Sequence, residues 1–276
     1  SLLRFWKQKA GTPEHLSFSL TTEEIWRKEY REHFLYLNKE RFDDLVKLKE
    51  DLQTAAKGDR FTILGNLFIF EIMRASMGDV VMLENILLNK AWIEDFCTVI
   101  TDFYIQHLAY LFSEAGVPDG FLLYEDLGYT RAPFISPALH REMILPHHKK
   151  LVDFIHSYDI PVIIHTCGNI EPHIPAIIEA GFDCLQPMEA KTGMNVADLG
   201  RTFAGKLSFM GNIDIRALET NDRKKIREEV LGKLNSVRRN RIPYVMHSDH
   251  SISPGVGLDS YQYMVELFRE NCDYVF

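Results

Sequence analysis

Cysteine is scarce in this 276-residue chain. The four cysteines, Cys97, Cys167, Cys184 and Cys272, are far apart, and neither their number nor their spacing is that of a disulfide framework. They are typical of reduced thiols inside a cell. The sequence also lacks an opening charged segment followed by a short apolar run, so we expect a cytoplasmic location.

Positive charge is in deficit as well. Lys and Arg number 31 against 39 Asp and Glu, which gives a formal net charge of −8 at pH 7. Nucleic acids and anionic membranes are bound through basic patches, so neither is an expected partner. No run of 18 apolar residues is present, which argues against a membrane-spanning helix. The expected partner is therefore a small-molecule substrate.

Glycine-rich phosphate loops and flexible linkers are also absent from the sequence. Neither G-x-G-x-x-G nor G-x-x-x-x-G-K-[S/T] occurs, which weakens a nucleotide-binding interpretation. No stretch rich in Pro, Gly and Ser divides the chain, so residues 1–276 are predicted to form a single domain.

From residue 120 onward the sequence repeats one unit: a short apolar run, a turn, and an amphipathic stretch with apolar residues at helical spacing. The apolar runs are GFLLYED, IPVIIHT, FDCLQPM, KLSFMGNID and IPYVMHSD. Strands that alternate with helices in this way predict a parallel sheet with right-handed crossovers. Either an open doubly wound sheet or a closed (β/α)₈ barrel satisfies this pattern.

Polar and ionisable residues at the ends of these runs favour the barrel, because the carboxyl ends of barrel strands converge on one face. The residues are Glu125, Asp126, His165, Cys167, Glu189, Asn212, Asp214, His247, Ser248, Asp249 and His250. We predict a sixth strand within residues 60–68 and a seventh within 15–21, and no eighth is visible. The chain begins at Ser1, so the expected fold is an α/β (β/α)₈ TIM-type barrel that is distorted or truncated at its N-terminus.

His165 and Cys167 form the strongest candidate site. Alternation along a strand places both side chains on one face, while Thr166 points the other way. Imidazole and thiolate are zinc ligands, and a catalytic zinc site holds three protein ligands and one open position. The candidates for the third ligand are His250, Asp249, His247 and Glu125.

Other candidates surround this pair. Only one of Glu125 and Asp126 can enter the site from a regular strand, and Glu125 is the predicted catalytic residue. His250 or Asp249, in YVMHSDHSIS, is the predicted general acid or base. Residues predicted to contact a bound ligand are Asn66 and Phe68, in the apolar stretch GNLFIFEIMRASMG, and Tyr129, in the loop LGYTRAPF.

Four segments carry a family resemblance: LLYEDLGYTRAPFISPALHREMILPHHKKLVDFIH, HTCGNIEPHIPAIIEAGFDCLQPME, FMGNIDIRAL and HSDHSISPGVGLDSYQYMVELF. They resemble the uroporphyrinogen decarboxylase superfamily, which includes corrinoid-dependent methyltransferases. The resemblance covers residues 60–276 and implies a (β/α)₈ barrel with its site at the C-terminal mouth. In the methyltransferases an H-x-C-G motif, here His165, Cys167 and Gly168, binds zinc with a further cysteine near the last strand.

The last strand departs from that pattern, because HSDHSISP contains no cysteine; the resemblance implies that His250 or Asp249 takes the third position. In the decarboxylases a histidine corresponds to His250, and an N-terminal RQAGRY-type motif grips substrate carboxylates. The sequence LLRFWKQKAG is a poor match to that motif. The acidic residues at the strand ends would also repel a porphyrinogen, which carries several carboxylates.

We therefore predict a methyltransferase that moves a methyl group from a methylated corrinoid, or a similar small methyl donor, to a thiol or pterin acceptor. In this interpretation His165 and Cys167 hold zinc, His250 or Glu125 completes the shell, and Asp249 orients its neighbour. The expected partners are a corrinoid carrier protein and a second copy of the chain in a homodimer. The alternatives are a uroporphyrinogen decarboxylase-type enzyme of porphyrin biosynthesis and a non-catalytic ligand-binding barrel.

Overall fold

The computed structural model describes residues 2–4, 14–58 and 60–272. Six parallel strands form one sheet in which neighbours in sequence are neighbours in space. In chain order they are β3 (Ile63–Leu67), β4 (Gly120–Tyr124), β5 (Val162–Thr166), β6 (Cys184–Pro187), β7 (Ser208–Ile213) and β8 (Tyr244–Ser248). All five apolar runs of the second half, and the sixth predicted near residue 60, are strands of this sheet.

Helices follow each strand and pack on the outer face of the sheet. They are α3 (Ile69–Met77), α4 (Asp79–Leu88), α5 (Lys90–Ala115), α6 (Pro137–Met143), α7 (Leu145–His156), α8 (Ile174–Ala180), α9 (Val196–Thr202), α10 (Ile215–Glu219), α11 (Arg223–Arg239) and α12 (Leu258–Arg269). Before the sheet lie α1 (Glu23–Ile25), which continues into π and 3₁₀ turns, and α2 (Leu45–Lys57). In the described residues, no helix is both long enough and apolar enough to span a bilayer.

The helix boundaries follow from local signals in the sequence. The Ser136 side chain accepts a hydrogen bond from the Leu139 N–H, and Pro137 occupies the first turn of α6. Helix α8 ends at Gly181, whose φ of 95° is the left-handed conformation that glycine adopts without strain. These caps fix where each crossover turns back toward the next strand.

Parallel register aligns the strand ends. On β4 and β5, Tyr124 pairs with His165, and on β5 and β6, His165 pairs with Gln186. The outward residues, such as Leu123 and Ile164, are fully buried under the helices. The inward residues therefore line a concave surface, and their last members meet at the carboxyl ends of the strands.

The fold is an α/β architecture of the TIM-barrel type, as predicted, but the described strands do not close into a ring. The seventh strand predicted within residues 15–21 is wrong as a barrel strand. The chain there forms β2 (Glu14–Ser17), which pairs antiparallel with β1 (Leu2–Arg4) in a separate two-stranded sheet. In the described residues, β3 and β8 are consequently the two edges of the parallel sheet.

Candidate metal centre and active-site cavity

Three side chains meet at the carboxyl ends of β4 and β5. One ligand atom from each of Asp126, His165 and Cys167 lies within 4.8 Å of the others. The His165 Nε2 is 3.5 Å from the Asp126 Oδ1 and 3.5 Å from the Cys167 Sγ. The predicted pairing of His165 with Cys167 on one face is thus present, and Asp126 completes the group.

Gln186, the neighbour of His165 on β6, fixes the orientation of the imidazole. Its Oε1 is hydrogen bonded to the His165 Nδ1, and because an amide oxygen only accepts, Nδ1 carries the hydrogen. The Nε2 lone pair of the neutral ring then points toward Asp126 and Cys167. A hydrogen bond on the second ring nitrogen is the usual way in which a metal-binding histidine is held.

The turn after β5 places the thiol. The Cys167 N–H donates to the Asp126 Oδ1 at 2.8 Å, and the Gly168 N–H donates to the Glu189 Oε2 at 2.8 Å. Gly168 has a φ of 85°, and a Cβ there would lie 2.4 Å from the backbone of Gly128. Only glycine allows these two loops to cross so closely, which holds Cys167 and Asp126 together.

The electrostatics of the group favour a cation. Burial, together with the nearby Asp126 and Glu189 carboxylates, raises the pKa of the Cys167 thiol far above its ordinary value. A bound metal reverses this by removing the thiol proton. One imidazole, one thiolate and one carboxylate at these separations match the ligand types of a three-ligand catalytic zinc site, so the residues fit the metal that the family resemblance implies.

The group opens into a cavity of about 550 Å³, the inner cavity, on the concave face of the sheet. Its apolar wall comes from the inward residues of the strands: Ile63, Leu122, Tyr124, Ile163 and Met210. Its polar wall consists of Asp126, His165, Cys167, Gln186, His247, Ser248, His250 and Ser251. The cavity is large enough for a small ligand, and none of the described residues that line it is Lys or Arg.

Glu125 does not line this cavity and is fully buried on the helix side of β4. Its Oε1 lies 2.6 Å from the His148 Nε2, and its Oε2 accepts hydrogen bonds from the backbone N–H groups of Phe70 and Glu71. The carboxylate thus ties the first turn of α3 to α7. The structure places the adjacent Asp126, rather than Glu125, at the metal centre.

The end of β8 and the turn after it supply residues of the cavity wall and one anchor. His247 and His250 line the inner cavity, and His250 is exposed, outside the three-residue group. Asp249 is 1% exposed and accepts hydrogen bonds from the N–H groups of Ala190 and Ile215, both at 2.9 Å. Asp249 therefore holds two loops together and faces away from the cavity.

The residues predicted to bind a ligand are dispersed. Phe68 is fully buried and packs between the rings of Tyr104 and His148, so it belongs to the core and does not line the inner cavity. Asn66 lines a separate apolar cavity beside α5. Tyr129 is 68% exposed on its loop. The structure does not bring these three side chains together.

Two residues of the candidate centre, Asp126 and Gln186, are not among the residues predicted from the sequence. At the end of β4 the sequence offers Glu125 or Asp126, and the prediction names Glu125. Gln186 carries no motif, and only the pairing of β5 with β6 places it beside His165. Alternation places Asp126 on the same strand face as Leu122 and Tyr124, but only the structure shows that this face lines the cavity.

These features define an α/β barrel-type enzyme scaffold with side chains converging at the carboxyl ends of its strands, the location of active sites in such folds. The sequence profile of the family named uroporphyrinogen decarboxylase (URO-D) matches residues 69–271. The chain belongs to the URO-D family, which confirms the resemblance stated from its motifs.

One similar solved structure is a methyltransferase from Methanosarcina mazei, with a TM-score of 0.65 and 18% sequence identity. The match covers 81% of this chain and 63% of the methyltransferase chain, so this chain spans less than two thirds of that protein's length. At this identity the likeness concerns the fold. No curated protein matches the chain in sequence.

Proposed function

We propose that the protein is a methyltransferase that moves a methyl group from a methylated corrinoid to a small thiol, assisted by zinc bound at Asp126, His165 and Cys167. The observation that carries the proposal is the convergence of these three ligand atoms at the mouth of the inner cavity. The family membership and the methyltransferase fold neighbour agree with it.

Asp126 is proposed as the third ligand in place of His250. Its Oδ1 already lies 3.5 Å from the His165 Nε2, whereas His250 is outside the group and exposed. The Asp126 carboxylate also holds the backbone of Cys167, so its position is fixed before any metal binds. His250 is then free to contact the substrate in the inner cavity.

Bound zinc would supply Lewis acidity that keeps an acceptor thiol as the thiolate at neutral pH. The residues of the chain position the site. Gln186 holds the His165 ring, and Asp126 and Glu189 hold the turn after β5. The apolar strand residues exclude water from the acceptor. In the transfer, the acceptor sulfur forms the new bond to the methyl carbon with its own electron pair. The cobalt–carbon bond breaks, its pair stays on the corrinoid, and the thiol proton leaves to bulk water.

The corrinoid ring is too large for the inner cavity and would be presented at the mouth, which agrees with a corrinoid carrier protein as partner. The inner cavity is of the size that takes a small acceptor. We prefer a thiol acceptor to a pterin because the sulfur of a thiol can bind the zinc and be activated by it. We also propose that the protein forms a homodimer and lies in the cytoplasm.

Decarboxylation of a carboxylated porphyrinogen is the second candidate, and the family name favours it. The lining of the inner cavity argues against it, since a polycarboxylate needs cationic donors and, in the part of the chain that the structure describes, none of the lining residues is Lys or Arg. Porphyrinogen turnover by the purified protein would reverse this preference.

Metal content tests the proposal directly. Protein purified without a histidine tag is supplemented with zinc, desalted and measured by mass spectrometry beside Cys167→Ser, Asp126→Asn and His250→Ala variants. About one zinc per chain is expected in the wild type and in His250→Ala, with loss in the other two. Cys272→Ser, a cysteine near the end of the chain, is the matched control and retains zinc.

Methyl transfer is then followed as demethylation of methylcobalamin in the presence of small thiols. Transfer that requires both zinc and Cys167 supports the proposed function. Stoichiometric zinc that survives the Asp126 and Cys167 substitutions would contradict the assigned centre, and the absence of transfer to every thiol tried would contradict the reaction.

A further inference from the structure

A second cavity, of about 440 Å³, lies against α5; we call it the α5 cavity. It is enclosed by the chain between Phe34 and Phe42, by Asn66 of β3, and by side chains of α3 and α5. Among the described residues, none that lines the α5 cavity also lines the inner cavity. The α5 cavity is therefore a space of its own, apart from the proposed active site.

The walls of the α5 cavity are largely apolar. One part of them consists of rings: Phe34, Phe42, Phe103, Tyr104 and His107. Aliphatic side chains of α3 and α5 form most of the remainder. The volume falls within the usual range of small-ligand sites, about 300 to 1,000 Å³. Walls of this kind favour a ligand with a compact apolar body, and the rings favour an aromatic one.

His107 fastens the segment that closes the cavity to α5. The His107 Nε2 accepts a hydrogen bond from the Asn38 N–H at 3.3 Å, and the His107 Nδ1 donates to the Phe103 carbonyl at 2.8 Å. The Phe42 ring stacks on the same imidazole, with ring centroids 5.5 Å apart. Burial lowers the pKa of His107, which favours the neutral ring that these two hydrogen bonds require. The cavity is thus formed before any ligand enters.

Two polar side chains of the wall have hydrogen-bond donors to offer. The Arg41 guanidinium lies 5.2 Å from the centre of the Phe34 ring and 5.0 Å from that of the Phe103 ring, contacts that leave its N–H groups available. Within the described chain, Arg41 forms no ion pair, and neither Arg41 nor the Asn66 amide forms a side-chain hydrogen bond. The Tyr104 hydroxyl, by contrast, already donates to the Leu67 carbonyl at 2.6 Å.

The charge of the lining is positive. Arg41 is a cation of the wall, and no described residue that lines the cavity is Asp or Glu. The acids nearest to Arg41 in sequence, Glu40, Asp43 and Asp44, are exposed and do not line the cavity. Because Arg41 is itself exposed, its guanidinium lies where a bound molecule meets water. A ligand that is apolar at one end and anionic at the other matches this arrangement.

We propose that the α5 cavity binds a small aromatic carboxylate, with its ring among the aromatic side chains and its carboxylate on the Arg41 guanidinium. An arginine and a carboxylate can form two parallel charged hydrogen bonds, which makes this contact selective for the anion. The inference does not depend on the proposed function, since the two cavities share no described lining residue.

Three probes of equal size and different charge test the proposal: 3-phenylpropionate, 3-phenylpropan-1-ol and 3-phenylpropylamine. Titration calorimetry with metal-free protein should give one site per chain for 3-phenylpropionate. Its affinity should exceed that of the alcohol by at least about tenfold, and the amine should bind most weakly. Arg41→Gln should reduce the affinity for the carboxylate to that for the alcohol. Arg239→Gln, at an exposed position of α11, is the matched control and should change neither.

A second variant tests the location of the site. Leu111 is half-buried in the cavity wall, so Leu111→Trp should fill the space and abolish binding of both the carboxylate and the alcohol. Urea unfolding shows whether this variant is folded; if it is not, the comparison of Arg41→Gln with wild type decides. Zinc loading should leave the affinity for 3-phenylpropionate unchanged.

Four results would overturn the inference. They are equal affinities for the three probes, no binding of 3-phenylpropionate at millimolar concentration, and binding that survives both Arg41→Gln and Leu111→Trp. The fourth is a wild-type dimer that Leu111→Trp converts to a monomer while the wild type binds no probe, because the cavity would then belong to an interface between two copies. Absence of methyl transfer would leave this inference intact.

Discussion

Two histidines of a buried three-histidine cluster make this fold sensitive to acid. His140, His148 and His173 have no solvent exposure and lie between α6, α7 and the turn before α8. The rings of His140 and His173 stack with centroids 4.5 Å apart, and His140 lies 5.7 Å from His148. Both nitrogens of His140 and of His173 lack a hydrogen-bond partner within the described chain.

Burial beside other histidines disfavours the charged forms of His140 and His173. It lowers the pKa of His140 from 6.5 to about 2 and that of His173 from 6.5 to about 4. The folded state therefore holds both rings neutral at a pH where the unfolded chain protonates them. Their contribution to stability is complete above pH 6.5 and falls as the pH decreases below that value.

The size of the effect follows from the number of protons taken up on unfolding. Each ring adds about 1.4 kcal/mol of destabilisation per pH unit below 6.5, until the pH reaches its folded pKa. Two rings together remove about 4 kcal/mol between pH 6.5 and pH 5. This is a large part of the stability of an ordinary domain, about 5 to 15 kcal/mol.

Urea unfolding at a series of pH values between 5 and 8 measures the slope. The double variant His140→Leu/His173→Leu should lose about 2.7 kcal/mol per pH unit of wild-type dependence below pH 6.5, and it should be at least as stable as the wild type at pH 8. His33→Leu, at an exposed position, controls for the removal of a histidine as such. Burial raises the pKa of Glu71 to about 7, so this carboxyl makes the fold less stable as the pH rises from 4.5 to 7, the opposite of the histidines. The quantity to compare is therefore the difference in unfolding free energy between variant and wild type at each pH. Identical slopes in the two proteins would refute the reasoning.

Three further substitutions test the supports of the site. Glu125→Gln should destabilise the fold by about 3 kcal/mol in urea unfolding, since it weakens the buried hydrogen bonds of the carboxylate to His148 and to the N–H groups of Phe70 and Glu71, and should leave zinc content unchanged; loss of zinc with unchanged stability would contradict its assignment as an anchor. Gln186→Leu should lower zinc affinity about 10- to 100-fold in chelator competition, because His165 loses its orienting partner; an unchanged affinity would argue against that role. Gly168→Ala should abolish zinc binding, because its Cβ collides with Gly128, and normal metal content would show that the loops can separate.

The pairing of His165 with Cys167 was predictable because strand alternation is a local property. Both residues are on one strand or directly after it, and no distant contact is needed to place them on the same face. The position of Asp126 was not predictable in the same way. Residues of β4 are apolar on both faces, with Phe121 and Leu123 outward and Leu122 and Tyr124 inward, so hydrophobicity did not distinguish which acid entered the site.

The strand predicted within residues 15–21 failed for a related reason. An apolar, β-forming segment is equally suited to a barrel strand and to an antiparallel pair, and its partner decides between them. Here the partner is Leu2–Arg4, which precedes Glu14–Ser17 in the sequence. Propensity gave the strand conformation correctly but contained no information on which sheet it joins.

By itself, the sequence determined the alternation of strands and helices, the caps that end them, the family motifs, and the His165 and Cys167 pair. Each of these depends on residues near one another in the chain. The tertiary structure alone decided that Asp126 completes the group, that Glu125 is an anchor, that Arg41 and Asn66 border a second cavity, and that three histidines share one buried cluster. These side chains come from different helices and strands, and their proximity exists only after the crossovers have packed the helices against the sheet.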